Sequence, residues 1–391
     1  MTRPPWGERS EGPHVAEEAF HKAERGPAGR PPGERFGVYV HIPFCSKRCD
    51  YCAFATWTDR HHLHAEYIAA CRAELTAADL VPATSVFVGG GTPSLIEPLL
   101  LTGLLADVRR APGAEVTVEC NPDNVSLALM RTYRDAGVNR ISLGVQSTVP
   151  HVLESLGREH DRAAVASAAE AIEAAGFASF NADVIYGAAG ESLADWETTL
   201  RDVLALAPSP PHISAYGLTV EAGTPLAAQP ARHPDDDDQA SKYLLAHQML
   251  TDAGLANYEI SNWARPGHEC RHNALYWDQG NYRGIGCAAH SHADGRRWWN
   301  HHTPNRYVDA VGSGATTESG NECLDAETRE VEALQLCLRT RHGVPAGALD
   351  ESDPDLAGLV ERQGERLVLT VAGKLLANEV ALRLRTSAPT T

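Results

Sequence analysis

Cys45, Cys49 and Cys52 fall within the run Cys45-Ser46-Lys47-Arg48-Cys49-Asp50-Tyr51-Cys52, separated by three and two residues. Thiolates are soft ligands that suit iron–sulfur clusters and zinc, and these spacings let one loop wrap a compact metal site. A fourth cysteine is missing two places further on, where Phe54 stands. Structural metal sites close their coordination, whereas catalytic ones keep a position open for a small molecule, so three thiolates point to an open site. The competing reading is zinc closed by His41 or by a distant cysteine. Nine cysteines, an odd number spread over 391 residues, fit metal binding in a reducing compartment better than a disulfide framework.

Other residues with chemical potential recur at one kind of place. Gly89-Gly90-Gly91-Thr92-Pro93, Glu119-Cys120-Asn121-Pro122, Gln146-Ser147, and Asp183 with Tyr186-Gly187 lie at or just after short β-rich runs. Those runs cover 38–42, 85–89, 115–120, 140–145, 180–186 and 213–219. They alternate with segments at 65–80, 95–110, 127–136, 162–175 and 196–206 that carry apolar residues at helix spacing. Repeated β-then-α implies parallel strands joined by right-handed crossovers. Loops at the C-terminal ends of such strands build the active site of a barrel, so motifs far apart in sequence converge without any internal repeat.

The expected fold is therefore α/β: a partial barrel of six β/α units over 36–265, then a smaller C-terminal α+β or helical domain over 266–391. Residues 1–35, rich in Pro, Gly, Arg and Glu without hydrophobic periodicity, read as a mobile tail. The run Asp235-Asp236-Asp237-Asp238 reads as part of an acidic, solubilising loop over 228–240. Beyond about 265 the alternation gives way to a Gly-, His- and Trp-rich stretch and helical segments, and 366–369 followed by 372–384 reads as a strand and a helix.

Composition narrows the partners. Thirty-four Lys and Arg against 51 Asp and Glu give a net charge of -17, which argues against a general grip on nucleic acid or anionic lipid. No stretch approaches the roughly 20 apolar residues of a membrane span, and the N-terminus lacks the apolar core of a signal peptide. The expectation is a cytoplasmic protein without a transmembrane segment, for which peripheral membrane contact stays open.

Taken together, the motifs resemble the radical S-adenosylmethionine (SAM) superfamily, whose signature is Cys-x3-Cys-x2-Cys. Tyr39-Val40-His41-Ile42-Pro43-Phe44-Cys45, Gly89 to Pro93, Glu119 to Pro122, Gly144-Val145-Gln146-Ser147, Gly157-Arg158-Glu159-His160 and Asp183-Val184-Ile185-Tyr186-Gly187 are similar, in order, to its oxygen-independent coproporphyrinogen III oxidase-like branch. The resemblance covers about residues 36 to 385. It implies that the three cysteines hold a [4Fe-4S] cluster and that SAM chelates the open iron, from which a reduced cluster, supplied by an external reductant, can cleave it to a 5'-deoxyadenosyl radical. It also implies that Tyr39, Tyr51, Gly90, Gly91, Thr92, Glu119, Gln146, Arg158 and Asp183 surround SAM: glycines for close backbone approach, carboxylates for its cationic or ribose groups, Arg158 for its carboxylate. The glycines could instead form an ordinary turn, and Glu119 with Arg158 a structural ion pair. One departure stands in the loop after Tyr186-Gly187, where Ala188-Ala189-Gly190 replaces Leu-Pro-Gly and puts that loop's rigidity in question.

Within this branch a decarboxylating oxidase competes with a haem carrier. The oxidase carries a fourth cysteine at the place of Phe54, whereas His272-Asn273-Ala274-Leu275-Tyr276-Trp277 matches the His-Asn-x-x-Tyr-Trp motif of the carriers. The resemblance thus implies a haem chaperone without coproporphyrinogen oxidase activity, which delivers haem to acceptor proteins. His272 is its candidate iron ligand, since imidazole ligates haem iron and Tyr276 and Trp277 offer flat apolar surface; a core histidine is the alternative. His290, His292, His301 and His302, with Trp298 and Trp299, are further candidates, and Cys287 in Gly284-Ile285-Gly286-Cys287 binds haem or nothing. A plain electron-transfer cluster protein would explain neither the glycine triplet nor Gln146 and Asp183. Replacing Cys45, Cys49 or Cys52 singly by Ala should abolish the visible absorbance of the anaerobically reconstituted protein, because no spare thiolate lies near in sequence; survival of that absorbance in all three variants would refute the cluster.

Overall fold

The computed structural model describes residues 35–386, so the tail expected over 1–35 lies, apart from Arg35, outside the described residues. Six parallel strands form its centre: β1 Phe36–Ile42, β2 Ala83–Gly90, β3 Arg110–Cys120, β4 Arg140–Gln146, β5 Ser179–Tyr186 and β6 His212–Gly217, neighbours in chain order. Helices His64–Ala78, Pro98–Asp107, Leu127–Asp135, Arg162–Ala174 and Leu193–Leu204 cross between them. Local chemistry starts several of these helices where the alternation predicts. The Ser126 and Asp161 side chains accept from the backbone N–H of Leu129 and Ala164, and Ser192 with Asp195 forms a reciprocal capping box.

Side chains alternate strictly along the strands. Val38, Val40 and Ile42, then Val86 and Val88, Val116 and Val118, and Ile141 and Leu143 are buried in the main hydrophobic core, beside Leu101, Leu104, Met130 and Val165 of the helices. Full burial of each such side chain contributes about 1.5–3 kcal/mol. The residues between them, among them Tyr39, Ser85, Glu119, Ser142 and Asp183, turn to the concave inner face.

Short strands β7 Ala256–Asn257 and β8 Asn262–Ala264 continue the sheet antiparallel past β6. At the other edge β9 Asn281–Ile285 pairs parallel to β1, followed by antiparallel β10 His290–Ala293, β11 Arg296–Asn300 and β12 Glu318–Cys323. The twelve strands run in the order β12-β11-β10-β9-β1-β2-β3-β4-β5-β6-β8-β7 and leave both edges open. The partial barrel is thus present. The Gly-, His- and Trp-rich stretch, which carries no βα pattern, supplies the added strands.

A buried carboxylate ties the added strands to the barrel. Glu74 of helix His64–Ala78 accepts from Arg283 (2.9 Å), Tyr307 Oη (2.6 Å), Thr317 Oγ1 (3.0 Å), Asn300 Nδ2 (3.1 Å) and the Gly286 amide (3.2 Å). The C-terminal part forms a second cluster, with Leu334, Leu338, Val344, Leu367 and Val380 packed around β13 Val344–Pro345, β14 Val360–Gln363 and β15 Arg366–Leu369.

The acidic run is not a loop. Asp235 caps helix Asp236–Asp252 by accepting from the Asp238 amide, and Asp236, Asp237 and Asp238 occupy its first turn, where the helix dipole favours negative charge. Asp238 also meets Lys242 one turn on, at 2.6 Å. Among the described residues no helix is long and apolar enough to cross a membrane.

The barrel's N-terminal end is closed by the helix Arg271–Trp277. Glu115 of β3 accepts from the backbone N–H of His272 and Arg271, both at 3.2 Å, and Leu275 fills the space beside Gly37. Glu74→Ala should destabilise the fold by about 3–5 kcal/mol in a urea titration, because Arg283 and the other donors lose their buried partner; a change below about 1 kcal/mol would show that the added strands hold without it.

Candidate functional site

The C-terminal ends of β1 to β6 open onto a cavity of about 550 Å³. Cys45, Cys49 and Cys52 stand at its rim on the loop after β1, each half-buried and each a free thiol. The base of that loop is cinched by the Cys45 amide donating to Trp57 O (3.1 Å) and the Trp57 amide donating to Pro43 O (2.7 Å). Its far side is held by Arg232, which donates to Asp50 at 2.8 Å.

The sulfurs have polar neighbours suited to thiolates. Thr92 Oγ1 lies 3.6 Å from Cys45 Sγ, and the Arg158 guanidinium lies 3.6 Å from Cys49 Sγ. Burial pushes the Cys45 thiol up to about 11 in spite of Thr92, so without a metal it keeps its proton; ligation would displace it. Among the described residues no three His, Cys, Asp or Glu side chains converge closely enough to hold one ion. His41, the other zinc-ligand candidate, is engaged elsewhere, with Nδ1 3.0 Å from the Tyr39 hydroxyl and Nε2 2.9 Å from Ala55 O.

The glycine triplet packs against the cysteine loop. The Gly91 amide donates to Ile42 O (2.7 Å) and the Thr92 amide to Phe44 O (2.8 Å), so a Cβ on Gly91 would come within 2.6 Å of Phe44 O. Only glycine lets the two segments approach this closely.

Behind the triplet, Glu119 accepts from the Gly90 amide (3.1 Å); burial first, and the Asp183 carboxylate second, push its pKa up to about 8. Asp183 accepts from Ser142 Oγ (2.8 Å) and Asn181 Nδ2 (2.7 Å), and burial raises it as well. Arg158 donates to Asn121 Oδ1 (2.9 Å) and Gly144 O (3.1 Å) as well as reaching Cys49, and does not pair with Glu119. Its Nε is buried without a partner. Gln146 sits at a bulge in the β4–β5 pairing with φ +61°, a strained conformation outside glycine that aims it at the cavity.

Eleven of the thirteen residues singled out from sequence thus line one cavity: the three cysteines, Tyr51, Gly90, Gly91, Thr92, Glu119, Gln146, Arg158 and Asp183. The other two do not. Tyr39 lies beneath the wall, its ring stacked on Phe87 and its hydroxyl at His41. His272 lies at the closed end, completely buried, with Nδ1 2.9 Å from Ser85 Oγ and Nε2 2.8 Å from Tyr276 Oη. Both of its nitrogens are taken up, so this conformation leaves none for an iron.

Sequence reasoning missed Tyr216 near the end of β6 and Thr219 and Glu221 just after it, which complete the wall. Their position at the C-terminal end of the sixth strand and in the loop that follows was the available signal. The Ala188-Ala189-Gly190 loop is held without proline: the Gly187 amide donates to Glu191 Oε2 (2.6 Å), and Lys242, fully buried, donates to Glu191 O (2.7 Å).

The family model for the radical SAM superfamily matches residues 39–203. The chain is 42% identical over 381 residues to the haem chaperone HemW of Mycobacterium tuberculosis, across 90% of this chain and 95% of that protein. It is 39% identical over 262 residues to the haem chaperone HemW of Escherichia coli, across 65% and 69% of the two chains. In fold it is similar to the solved coproporphyrinogen III oxidase (HemN) of Escherichia coli, with a TM-score of 0.77, 23% identity and 91% of each chain covered.

Because Glu119 retains its proton to about pH 8 in the native state, whereas an ordinary glutamate loses it near 4.5, the native state binds more protons than the unfolded one between those values. Its contribution to stability must fall as pH rises through that window. Glu119→Gln, which cannot ionise, should therefore gain in melting temperature relative to the parent protein as pH rises from about 5 to about 8; a difference independent of pH would show that Glu119 is ionised throughout.

Proposed function

Since the chain belongs to the radical SAM superfamily and, within it, to the family of the haem chaperone HemW, we propose that it binds a [4Fe-4S] cluster, SAM and haem and delivers haem to acceptor proteins in the cytoplasm. The observation that carries the reading is the rim of three free, half-buried cysteines around one end of a 550 Å³ cavity, without a fourth cysteine in the loop. Three thiolates in one loop suit a cluster with one iron left over, and the missing ligand leaves that iron to SAM.

When bound, the cluster and SAM supply electron transfer and, on reduction, radical chemistry. This chain's own residues do the positioning. Arg158, with one buried nitrogen unpartnered, is placed to meet a carboxylate and to stabilise the Cys49 thiolate at the same time. Glu119 and Asp183 offer two buried carboxylates, and a cationic ligand beside them would draw the proton from Glu119. Gly90, Gly91 and Thr92 present backbone at the cavity wall, Gln146 an amide and Tyr51 an aromatic face, while Tyr39 steadies His41 below. A reductant for the cluster and an acceptor for the haem are the protein partners this role needs.

The decarboxylating oxidase is the alternative, and one assay separates the two. Anaerobically reconstituted protein given SAM, a reductant and coproporphyrinogen III should yield no protoporphyrinogen, yet should bind haem with a shifted Soret band. Sustained turnover to protoporphyrinogen would make the chain an oxidase.

A further inference from the structure

The concave face of the sheet does not end at β1. In the β9–β1 register Gly37 stands beside Tyr282 and Tyr39 beside Gly284, and His292 of β10 stands beside Tyr282. Side chains alternate with a period of two, so His290 and His292, and their β11 neighbours Trp299 and Arg297, share the face that Tyr39 and His41 present to the barrel interior. β9 runs parallel to β1, and β11, two antiparallel steps further, runs the same way. His290 at the start of β10 and His302 just after β11 therefore emerge at the same end of the sheet as the cysteine loop.

There the side chains form two aromatic pairs, His290 with Trp299 and His302 with Trp57. Trp299 lies over Gly320 of β12, where a Cβ would come within 2.6 Å of the indole. His290 stacks on Trp299 with ring centroids 5.6 Å apart and planes at 29°. His302 meets Trp57 edge-on, also at 5.6 Å, and Trp57 is the residue whose backbone holds Cys45. The backbone brings the two pairs together, since the Asn300 amide donates to Ala289 O (3.0 Å) and the Ala288 amide to His301 O (2.9 Å), which sets the residues before His290 against those before His302.

These two imidazoles are exposed, and neither is hydrogen-bonded to another described residue. Two other candidate histidines are committed. His292 has Nδ1 3.0 Å from Gly280 O and accepts from the Gly295 amide at Nε2 (3.0 Å), and His272 is held at both nitrogens. Partial burial and Arg297 keep the His290 pKa below its ordinary value, so its ring is neutral, with a lone pair free, at neutral pH.

We propose that these two pairs form the haem site, with His290 and His302 as candidate iron ligands and the indoles of Trp57 and Trp299 as the bed for the macrocycle. The proposal rests on the haem-carrier reading above and names its site. Haem combines a flat apolar ring with an iron that takes imidazole, and the two pairs join indole surface to uncommitted imidazoles where the buried His272 offers neither. Haem seated there would lie one residue's hydrogen bonds away from Cys45, which couples its binding to the state of the cysteine loop.

The test is a haemin titration, followed in the Soret band, of anaerobically reconstituted protein and of His290→Ala, His302→Ala, the double variant and His272→Ala. The double variant should lose affinity about tenfold or more, keep its cluster absorbance, and regain the ligated spectrum when imidazole is added. Haem uptake by the double variant equal to that of the parent protein would overturn this site and leave the carrier reading standing. So would a loss confined to His272→Ala. Absence of haem uptake by the parent protein would overturn both.

Discussion

Along β1 to β6 the residues facing the helices are apolar and those facing inward are, Ile185 apart, mostly polar, aromatic or glycine, and a slip of one position in any strand would exchange the two faces. That constraint governs everything else in the molecule. The outward face, with Val38, Val86, Val118 and Leu143 fully or almost fully buried, fixes the register by its contact with the helices. Fixing the register sets Glu119 beside Ser142 and, one inward-facing position further along, Gly144 beside Asp183. The site is thus assembled by the hydrophobic effect acting on residues that never touch it.

The inner face carries a cost that the outer one covers. Glu119 and Asp183 are buried carboxylates whose ionised forms are disfavoured, and the Arg158 guanidinium, which lines the same cavity near Cys49, has an unpartnered buried nitrogen. Such groups persist where surrounding packing over-determines them, and their uncompensated polarity is what a charged ligand would relieve. Gln146 belongs to the same set through its backbone: its positive φ is held by the bulge between β4 and β5 rather than by any preference of its own.

Much of this was legible in the sequence because the signals were local. Period-two runs alternating with helix-period segments marked all six parallel strands, and the motifs at their ends lay where barrel geometry puts ligands. What stayed hidden depended on contacts distant in sequence. β9 to β12 lack hydrophobic alternation, since their inner positions include Tyr282, His290, His292, Arg297 and Trp299, and their attachment through Glu74 joins residues more than 200 positions apart. The acidic run at 235–238 read as a solvated loop because its charge masked its place as a helix start, which only the cap at Asp235 shows. His272 read as a ligand because its neighbours Tyr276 and Trp277 are flat and apolar, but Tyr276 turns its hydroxyl onto the imidazole instead of offering an open face.

The short helix Arg271–Trp277 gives the barrel a sealed floor, with His272 and Leu275 buried and Glu115 fastened to its amides. The polar residues of the inner face therefore look toward the cysteine loop and away from this plug, so that a ligand drawn to Glu119 and Asp183 is held within reach of the three thiols, in the one cavity that all five residues line.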